Sequence, residues 1–296
     1  MTRVQIEEIL CKSLIMPLDV RGLDCRWAIN PYLGCGHVCF HCLLTQPNEK
    51  HSHSSRTELE SAQVKVNAAQ VLREELRRSK WSGAALAIGA ACDPYQGIED
   101  TYGITRAILR TLLEQRTPCY ITTKSALIER DIDLLKELAS VTQVRVYFSI
   151  PTLDQEVSLK AEPDASPPLE RLRAMERLID AGVPSGLLLA PIIPGVSDSQ
   201  ESIEAVVEAA AERGAGYLAP NLNYLRPGSK EWYLPMLRER YPHLPKGYAR
   251  LYKGPHPVED YTERVMEQIS EAREKYGLSE EAALIEETSY QMALQF

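Results

Sequence analysis

Three cysteines stand close together in the first sixth of the chain. Cys35, Cys39 and Cys42 fall within eight residues, at the spacing C-x3-C-x2-C. Thiolates at this spacing can hold one small inorganic site from a single loop, and soft sulfur ligands select iron–sulfur clusters, zinc or Cu(I). Three cysteines can bind three irons of a four-iron cluster and leave the fourth iron open to another ligand. An iron–sulfur cluster is therefore the first hypothesis for this loop.

Zinc is the alternative that the same residues leave open. A structural zinc site takes four ligands, and His41, His51 or His53 could supply the one that the cysteines lack. The chain has seven cysteines, and an odd number argues against a disulfide framework. Three cysteines outside the loop are interpreted as packing residues: Cys11, Cys25 and Cys119.

The composition is that of a globular protein. Of the 296 residues, 44% are hydrophobic and 25% are charged. Apolar runs are far shorter than the roughly 20 residues of a membrane span, so no membrane association is expected. The N-terminal segment MTRVQIEEILCKSLI carries two glutamates where a signal peptide needs an apolar stretch, which predicts a cytoplasmic protein. The net charge of -8 opposes nucleic-acid binding over the whole surface but leaves room for a local basic patch.

Short apolar segments alternate with amphipathic segments over residues 25–222, which predicts an α/β fold. The predicted strands are 25–30, 84–91, 119–123, 143–150, 186–193 and 216–223. Helix-like runs follow them, the first over 60–79 and the last before the sixth strand over 199–213. Nearly continuous apolar strands between such helices are typical of a parallel sheet covered by helices. Six βα steps are fewer than the eight of a closed barrel, so a partial (β/α)6 TIM-like barrel is expected.

Three segments are predicted along the chain. An N-terminal extension covers 1–24, the core domain covers 25–222, and a C-terminal helical extension covers 223–296 and caps the barrel. Polar and unusual residues gather where predicted strands end, including Cys92, Lys124 and Ser149. Because function in parallel α/β folds collects at the carboxyl ends of strands, these residues are expected to meet at one mouth.

The cysteine spacing, placed in the loop after the first strand of such a barrel, resembles that of the radical SAM superfamily. Segments over about residues 25–220 are similar to its spore photoproduct lyase-like branch. They read NPYLGCGHVCFHC, CDPYQGIE, TTKSALIERDIDLL, SIPTLD, KAEPDASPPLERLRAMERLIDAG and APIIPG. The resemblance implies a partial barrel of the radical SAM type and an enzyme with lyase-like chemistry.

The resemblance also implies cofactors and their ligands. Cys35, Cys39 and Cys42 would bind a [4Fe–4S] cluster, and S-adenosylmethionine would bind its open iron. Reductive cleavage would give a 5′-deoxyadenosyl radical that takes hydrogen from a substrate, with flavodoxin or ferredoxin as electron donor. The residues expected to bind S-adenosylmethionine are His41, Gly89, Ala90, Ala91, Lys124, Ser149, Glu162 and Arg171.

Some of these roles have alternatives. Glu162 and Arg171 could instead form a structural ion pair that orders the loop between them. Cys92 matches the segment in which the branch carries a hydrogen-donating cysteine, although a cysteine at a strand end also serves as a small buried apolar residue. The branch has tyrosines beside the third cluster cysteine, where this chain has His41 and Leu43. This departure weakens thymine-dimer repair as the specific activity.

Residues 226–253 contain seven Lys/Arg and two Glu, with Trp232 and several tyrosines between them. Cations that meet phosphates and rings that stack on bases would suit a nucleic-acid partner, whereas the alternative is a tyrosine-rich cap over the barrel. Three functions therefore remain open. They are a radical SAM enzyme acting on a DNA lesion, a radical SAM enzyme modifying a small molecule or peptide, and a non-catalytic iron–sulfur or zinc protein.

Overall fold

The computed structural model of the protein describes residues 5–18, 25–42, 61–78, 81–225 and 230–280. Its main sheet contains six parallel strands that lie side by side in chain order. They are β3 (Trp27–Ile29), β6 (Leu86–Ile88), β7 (Cys119–Thr123), β8 (Val144–Ser149), β9 (Ser185–Ile192) and β10 (Tyr217–Leu222). The prediction of six βα steps is confirmed.

The sheet is open. At one edge, β2 (Met16–Pro17) pairs antiparallel with β3, and at the other edge β11 (Ser279–Glu280) pairs parallel with β10. Within the described ranges these two edge strands do not pair with each other, so the partial barrel expected from the strand count is confirmed. Parallel strands covered by helices are buried on both faces, which explains why β7 is buried at all five positions.

Helices connect the strands and cover the sheet. In the core they are α1 (Ala68–Leu76), α2 (Glu99–Tyr102), α3 (Ile104–Gln115), α4 (Ile132–Val141), α5 (Gln155–Ala161), α6 (Pro168–Asp180) and α7 (Gln200–Ala211). Helix α6 shows why these segments fold as they do. It starts with Pro168, whose missing N–H costs nothing at a helix start, and buries Leu172, Met175 and Leu178 on one face.

A second, three-stranded sheet was not expected. It consists of β1 (Gln5–Ile9), β5 (Ser61–Lys65) and β4 (Tyr32–Leu33), with β5 in the middle. The predicted helix over 60–79 is therefore wrong in its first third, since helix α1 begins only at Ala68. Ala62 and Val64 point into the core of this sheet, and β1 pairs with β5 from more than 50 residues away. Because the partner strand is so distant in sequence, the hydrophobic periodicity of the residues around β5 does not indicate a strand.

The C-terminal extension forms α8 (Lys230–Arg240), α9 (Pro245–Leu251) and α10 (Glu259–Tyr276). Four of its tyrosines are buried in one cluster with Phe40 of the cysteine loop: Tyr233, Tyr241, Tyr248 and Tyr252. The ring centroids of Phe40 and Tyr233 lie 5.7 Å apart. Bases cannot stack on these four rings because packing against one another and the loop already covers them. The cap interpretation therefore fits this segment, and the division at 24 and 222 stays a prediction.

None of the helices in the described ranges combines the length and apolarity needed to cross a bilayer.

Candidate active site

One cavity of about 350 Å³ lies at the carboxyl ends of the central strands. Nine of the twelve residues predicted for the site line it: Cys35, Cys39, His41, Cys42, Gly89, Ala91, Cys92, Lys124 and Ser149. The three other predicted residues are buried behind the wall, namely Ala90, Glu162 and Arg171. Strand-end reasoning thus brought together residues from three strands and the cysteine loop.

The cysteine loop is held in a strained, specific shape. Val38 adopts φ of 47°, a left-handed conformation that is rare for a β-branched residue. Gln96 clamps the loop from the next strand connection, because its Oε1 accepts from Gly36 N at 2.8 Å and its Nε2 donates to the Gly34 carbonyl at 3.2 Å. These contacts turn Cys35, Cys39 and Cys42 towards one space rather than apart.

Asp93 ties two strand ends together. Its Oδ1 accepts from Thr123 Oγ1 at 2.7 Å and from Tyr95 N at 2.9 Å, and its Oδ2 accepts from Lys124 N at 2.6 Å. His37 Nδ1 lies 3.4 Å from the same Oδ2. Because these protein groups already surround both carboxylate oxygens, Asp93 shapes the site rather than offering itself to a ligand.

Lys124 is the cation of the cavity wall, and a chain of buried groups fixes it. Its Nζ lies 2.6 Å from Ser149 Oγ and 2.7 Å from Glu162 Oε1, while about a fifth of the side chain stays exposed. Ser149 Oγ in turn donates to the Ala190 carbonyl at 2.7 Å. An ammonium has three N–H donors, so these two contacts leave one for a ligand in the cavity.

Behind Lys124 lies a fully buried ion pair. Arg171 Nη1 is 2.6 Å from Glu162 Oε2, and neither side chain is exposed. Arg171 also donates to the backbone carbonyls of Ser149 and Ser166. Burial opposes ionisation of Glu162, but Arg171 and Lys124 outweigh it and hold the pKa of this carboxyl well below its usual range. The pair anchors Lys124 and the Pro-rich loop, and direct contact of Glu162 or Arg171 with a cofactor stays a prediction.

The structure brings together part of the ligand set that a zinc site would need. Ligand atoms of Cys39, His41 and Glu162 lie within 4.8 Å of one another. However, Glu162 already neutralises Lys124 and Arg171, and metal binding would leave the buried Arg171 and the partly exposed Lys124 without this partner. Burial lowers the pKa of His41 to about 3, so its imidazole is neutral. Leu43, His51 and His53 lie outside the described residues.

Gly89 ends strand β6 with a backbone that only glycine adopts easily. Its φ is +90°, and a Cβ placed there would lie 2.4 Å from the Thr122 carbonyl oxygen and 2.8 Å from Pro94 Cδ. Both neighbours are held by the fold, since Thr122 belongs to strand β7 and the proline ring is fixed to its backbone. Gly89 and Ala91 line the cavity, and the fold leaves no room for a side chain at the first of these positions.

We expect Gly89→Ala to lower the free energy of unfolding by about 2–4 kcal/mol, because it adds a backbone clash to a left-handed strain. Gly97→Ala is the matched control, since a Cβ at Gly97 meets nothing within 4 Å. Urea unfolding of the two variants beside the wild type measures the difference. Equal stability of both variants would contradict the role assigned to the Gly89 backbone.

Cys92 faces the cavity from the end of the same segment. Its Sγ donates to the Tyr32 carbonyl at 2.9 Å, and burial raises the pKa of its thiol, which keeps the S–H protonated. Asn30 holds the segment in place, because its Oδ1 accepts from Ala91 N at 3.1 Å. The position suits a hydrogen donor, which stays a prediction.

Sequence reasoning missed one part of the cavity wall. This wall comes from the end of β10 and from the C-terminal extension, and it includes Asn221, Asn223, Tyr224, His256 and Thr262. The strand-end rule could have found the two asparagines, because they lie at the end of the last predicted strand. No signal in the sequence places His256 or Thr262 at the cavity, because only the fold of the extension brings them there.

Comparison with known proteins decides the family. The model of the radical SAM superfamily matches residues 29–210, which is more than half of the chain. The protein belongs to the radical SAM superfamily. An uncharacterized protein of Mycobacterium tuberculosis is 31% identical to it over 279 residues, covering 93% of this chain and 82% of the relative.

Two solved structures share the radical SAM fold of this chain. A spore photoproduct lyase variant, with AdoMet and dinucleoside spore photoproduct bound, gives a TM-score of 0.65 at 17% identity. That match covers 93% of this chain and 80% of the lyase. SuiB of Streptococcus suis, bound to S-adenosylmethionine, gives a TM-score of 0.56 at 15% identity and covers 90% of this chain and 48% of that one.

Radical SAM proteins use a [4Fe–4S] cluster and S-adenosylmethionine, and the cavity fits both. Three cysteine side chains line the cavity, and thiolates are the soft ligands that such a cluster takes. Gly89 lines the cavity with backbone that carries no side chain, which suits close approach of a ligand. Lys124 offers a positive charge on the same wall as Ser149, which suits a carboxylate.

Proposed function

We propose that this radical SAM enzyme binds its cluster through Cys35, Cys39 and Cys42, and its S-adenosylmethionine through Lys124 and the backbone of residues 89–91. The observation that carries the proposal is that the three cysteines, Lys124, Gly89 and Ala91 line one cavity at the strand ends. When bound, the two cofactors supply a 5′-deoxyadenosyl radical, which takes a hydrogen atom from the substrate.

The chain's own residues bind, orient and shield. Lys124, held by Ser149 and Glu162, meets the carboxylate of S-adenosylmethionine with a charge-assisted hydrogen bond. His41, neutral and packed at 5.6 Å from the Phe40 ring, forms the part of the wall next to Cys42. The buried aromatic cluster behind Phe40 keeps water from the loop, which protects a reactive radical from side reactions. Flavodoxin or ferredoxin is the proposed electron donor, and the cytoplasm is the proposed location.

Anaerobic reconstitution with iron and sulfide tests this function. We expect a brown protein with the visible absorption of an iron–sulfur cluster that forms 5′-deoxyadenosine from S-adenosylmethionine after reduction by dithionite. A colourless protein that retains zinc instead, or a brown protein that forms no 5′-deoxyadenosine, would refute the proposal and favour a non-catalytic metal protein.

The finer proposal is a DNA lesion as substrate. Its support is the fold likeness to the lyase that binds dinucleoside spore photoproduct, together with basic residues in the C-terminal extension. A DNA substrate predicts binding that weakens as salt rises and after Arg238, Arg240 and Arg250 are each changed to glutamine. DNA binding that is unaffected by salt and by the three arginine substitutions would favour a small molecule or a peptide as the substrate instead. A gel-shift series at several salt concentrations separates the two.

A further inference from the structure

Asn223 is a buried amide on the part of the cavity wall that β10 and the C-terminal extension form. Only 2% of the residue is exposed, yet it lines the cavity. Its Nδ2 donates to Tyr233 Oη at 3.1 Å, whereas no residue in the described part of the chain donates a hydrogen bond to its Oδ1. A carboxamide can make about four such bonds, and an unsatisfied buried one costs roughly 1–3 kcal/mol. The free capacity of Asn223 is available to a ligand in the cavity.

The tyrosines of the C-terminal extension fix this amide from behind. Tyr233 receives the Nδ2 hydrogen bond, and Tyr252 Oη donates to the backbone carbonyl of Asn223 at 2.6 Å. Tyr248 packs between them, with its ring centroid 6.0 Å from that of Tyr233 and 5.5 Å from that of Tyr252. Asn223 N also donates to the Ile192 carbonyl at 2.9 Å. A side chain held from this many directions is preorganised for recognition.

The wall around Asn223 selects against charge. The lining residues that β10 and the C-terminal extension contribute include no Asp, Glu, Lys or Arg among the described residues. A charged group placed there would lose its water without gaining a partner of opposite charge. Tyr224 and His256, with ring centroids 5.1 Å apart, add flat surfaces to the same wall. Flat surfaces beside an amide suit a planar ligand that forms hydrogen bonds.

We propose that Asn223 recognises the substrate, and that the group it binds is planar, uncharged and carries adjacent N–H and C=O, as an amide or a cyclic imide does. Asn223 accepts from the N–H and donates to the C=O. Tyr233 and Tyr252 are positioning residues that set the orientation of this amide. The inference rests on the proposed function, since it assigns the substrate group for the same cavity.

Ligand-observed NMR with the reconstituted holoprotein tests the inference, using uracil as the neutral planar probe and orotate as its anionic counterpart. We expect uracil to bind and orotate to bind at least about tenfold more weakly. Asn223→Leu, which has similar volume and no hydrogen-bonding atoms, is expected to weaken uracil binding by about tenfold or more. N-acetylglycinamide identifies the source of the group, because binding as tight as that of uracil indicates a peptide amide and weaker binding indicates a heterocycle.

The positioning role has a matched control within the same cluster. Tyr233→Phe removes the partner of the amide and is expected to weaken uracil binding by roughly threefold or more. Tyr241 is buried in the same cluster, and its hydroxyl has no hydrogen-bond partner among the described residues. Tyr241→Phe therefore changes packing equally and should leave binding unaltered. This pair keeps the test decisive if Asn223→Leu fails to fold.

The outcomes separate this inference from the function on which it rests. Formation of the cluster and of 5′-deoxyadenosine by the wild type tests the function alone. With that function intact, the inference is overturned if neither neutral probe binds, if orotate binds as tightly as uracil, or if Tyr233→Phe behaves like Tyr241→Phe.

Discussion

Replacing any one of Cys35, Cys39 and Cys42 with alanine is expected to abolish 5′-deoxyadenosine formation, by roughly 1,000-fold or more, equivalent to about 4 kcal/mol. Two thiolates cannot hold a cluster at three irons, and the three side chains line one cavity in which each is needed. The same variants should lose the visible absorption of the cluster after reconstitution. Iron content per chain, measured beside the absorption, distinguishes loss of the cluster from loss of turnover.

Cys11→Ala is the matched control for these variants. Cys11 is half-buried in the N-terminal extension, where its Sγ donates to Asn67 Oδ1 at 3.3 Å, away from the cavity. We expect it to keep wild-type iron content and product formation. A cavity variant that retained a full cluster, or a Cys11 variant that lost it, would show that the ligands are assigned to the wrong cysteines.

Arg171→Met is expected to lower the free energy of unfolding by about 3–5 kcal/mol, because it leaves a buried carboxylate without its main partner. The side chain is wholly buried against Glu162 and also holds two backbone carbonyls. Arg177→Met provides the control on the same helix, since Arg177 is 62% exposed and pairs with Glu129 at the surface. Exposed pairs contribute about 0–1 kcal/mol. Denaturant unfolding of both variants measures the difference, and equal losses would contradict a structural role for the buried pair.

The same pair predicts how stability depends on pH. The folded pKa of Glu162 lies below its unfolded value of about 4.3, so its contribution is fully present above that value. The contribution is lost as the pH falls through the folded pKa. We therefore expect the stability difference between wild type and Glu162→Gln to be constant from about pH 7 to 5 and to shrink in more acidic solution. A difference that grows as the pH falls would have the wrong sign.

Local patterns were enough to predict the six-stranded sheet. Each of its strands is short and apolar, as in CYITT, and each connection contains a helix with one apolar face. The second sheet could not be predicted, because the residues of β5 were included in a predicted helix on the basis of the hydrophobic periodicity of the residues around them. What makes it a strand is β1, whose partner residues lie more than 50 positions away. The sequence information for such a pairing lies in two segments far apart in the chain, so neither segment alone indicates the strand.

The site residues divide in the same way, into those that local sequence predicts and those whose place depends on the fold. Cys35, Lys124 and Ser149 follow strand ends or sit in a crowded motif, so position alone places them at the mouth. Glu162 and Arg171 were found as a pair, yet their burial behind Lys124 depends on how α6 packs against the sheet. Asn223 acquires its significance only from tyrosines whose sequence context left both a nucleic-acid groove and a cap over the barrel open. Aromatic residues between basic ones look alike whether their rings face solvent or the core.

The packing of Phe40 against Tyr233 has a consequence for the order in which the protein is made. About 190 residues separate the two rings along the chain, and synthesis proceeds at roughly 5–20 residues per second. The cysteine loop therefore leaves the ribosome about 10–40 s before the helices that will cover it. During that interval the cysteine loop lacks its aromatic cover, so Phe40 can reach its packed position only after the C-terminal extension has been made.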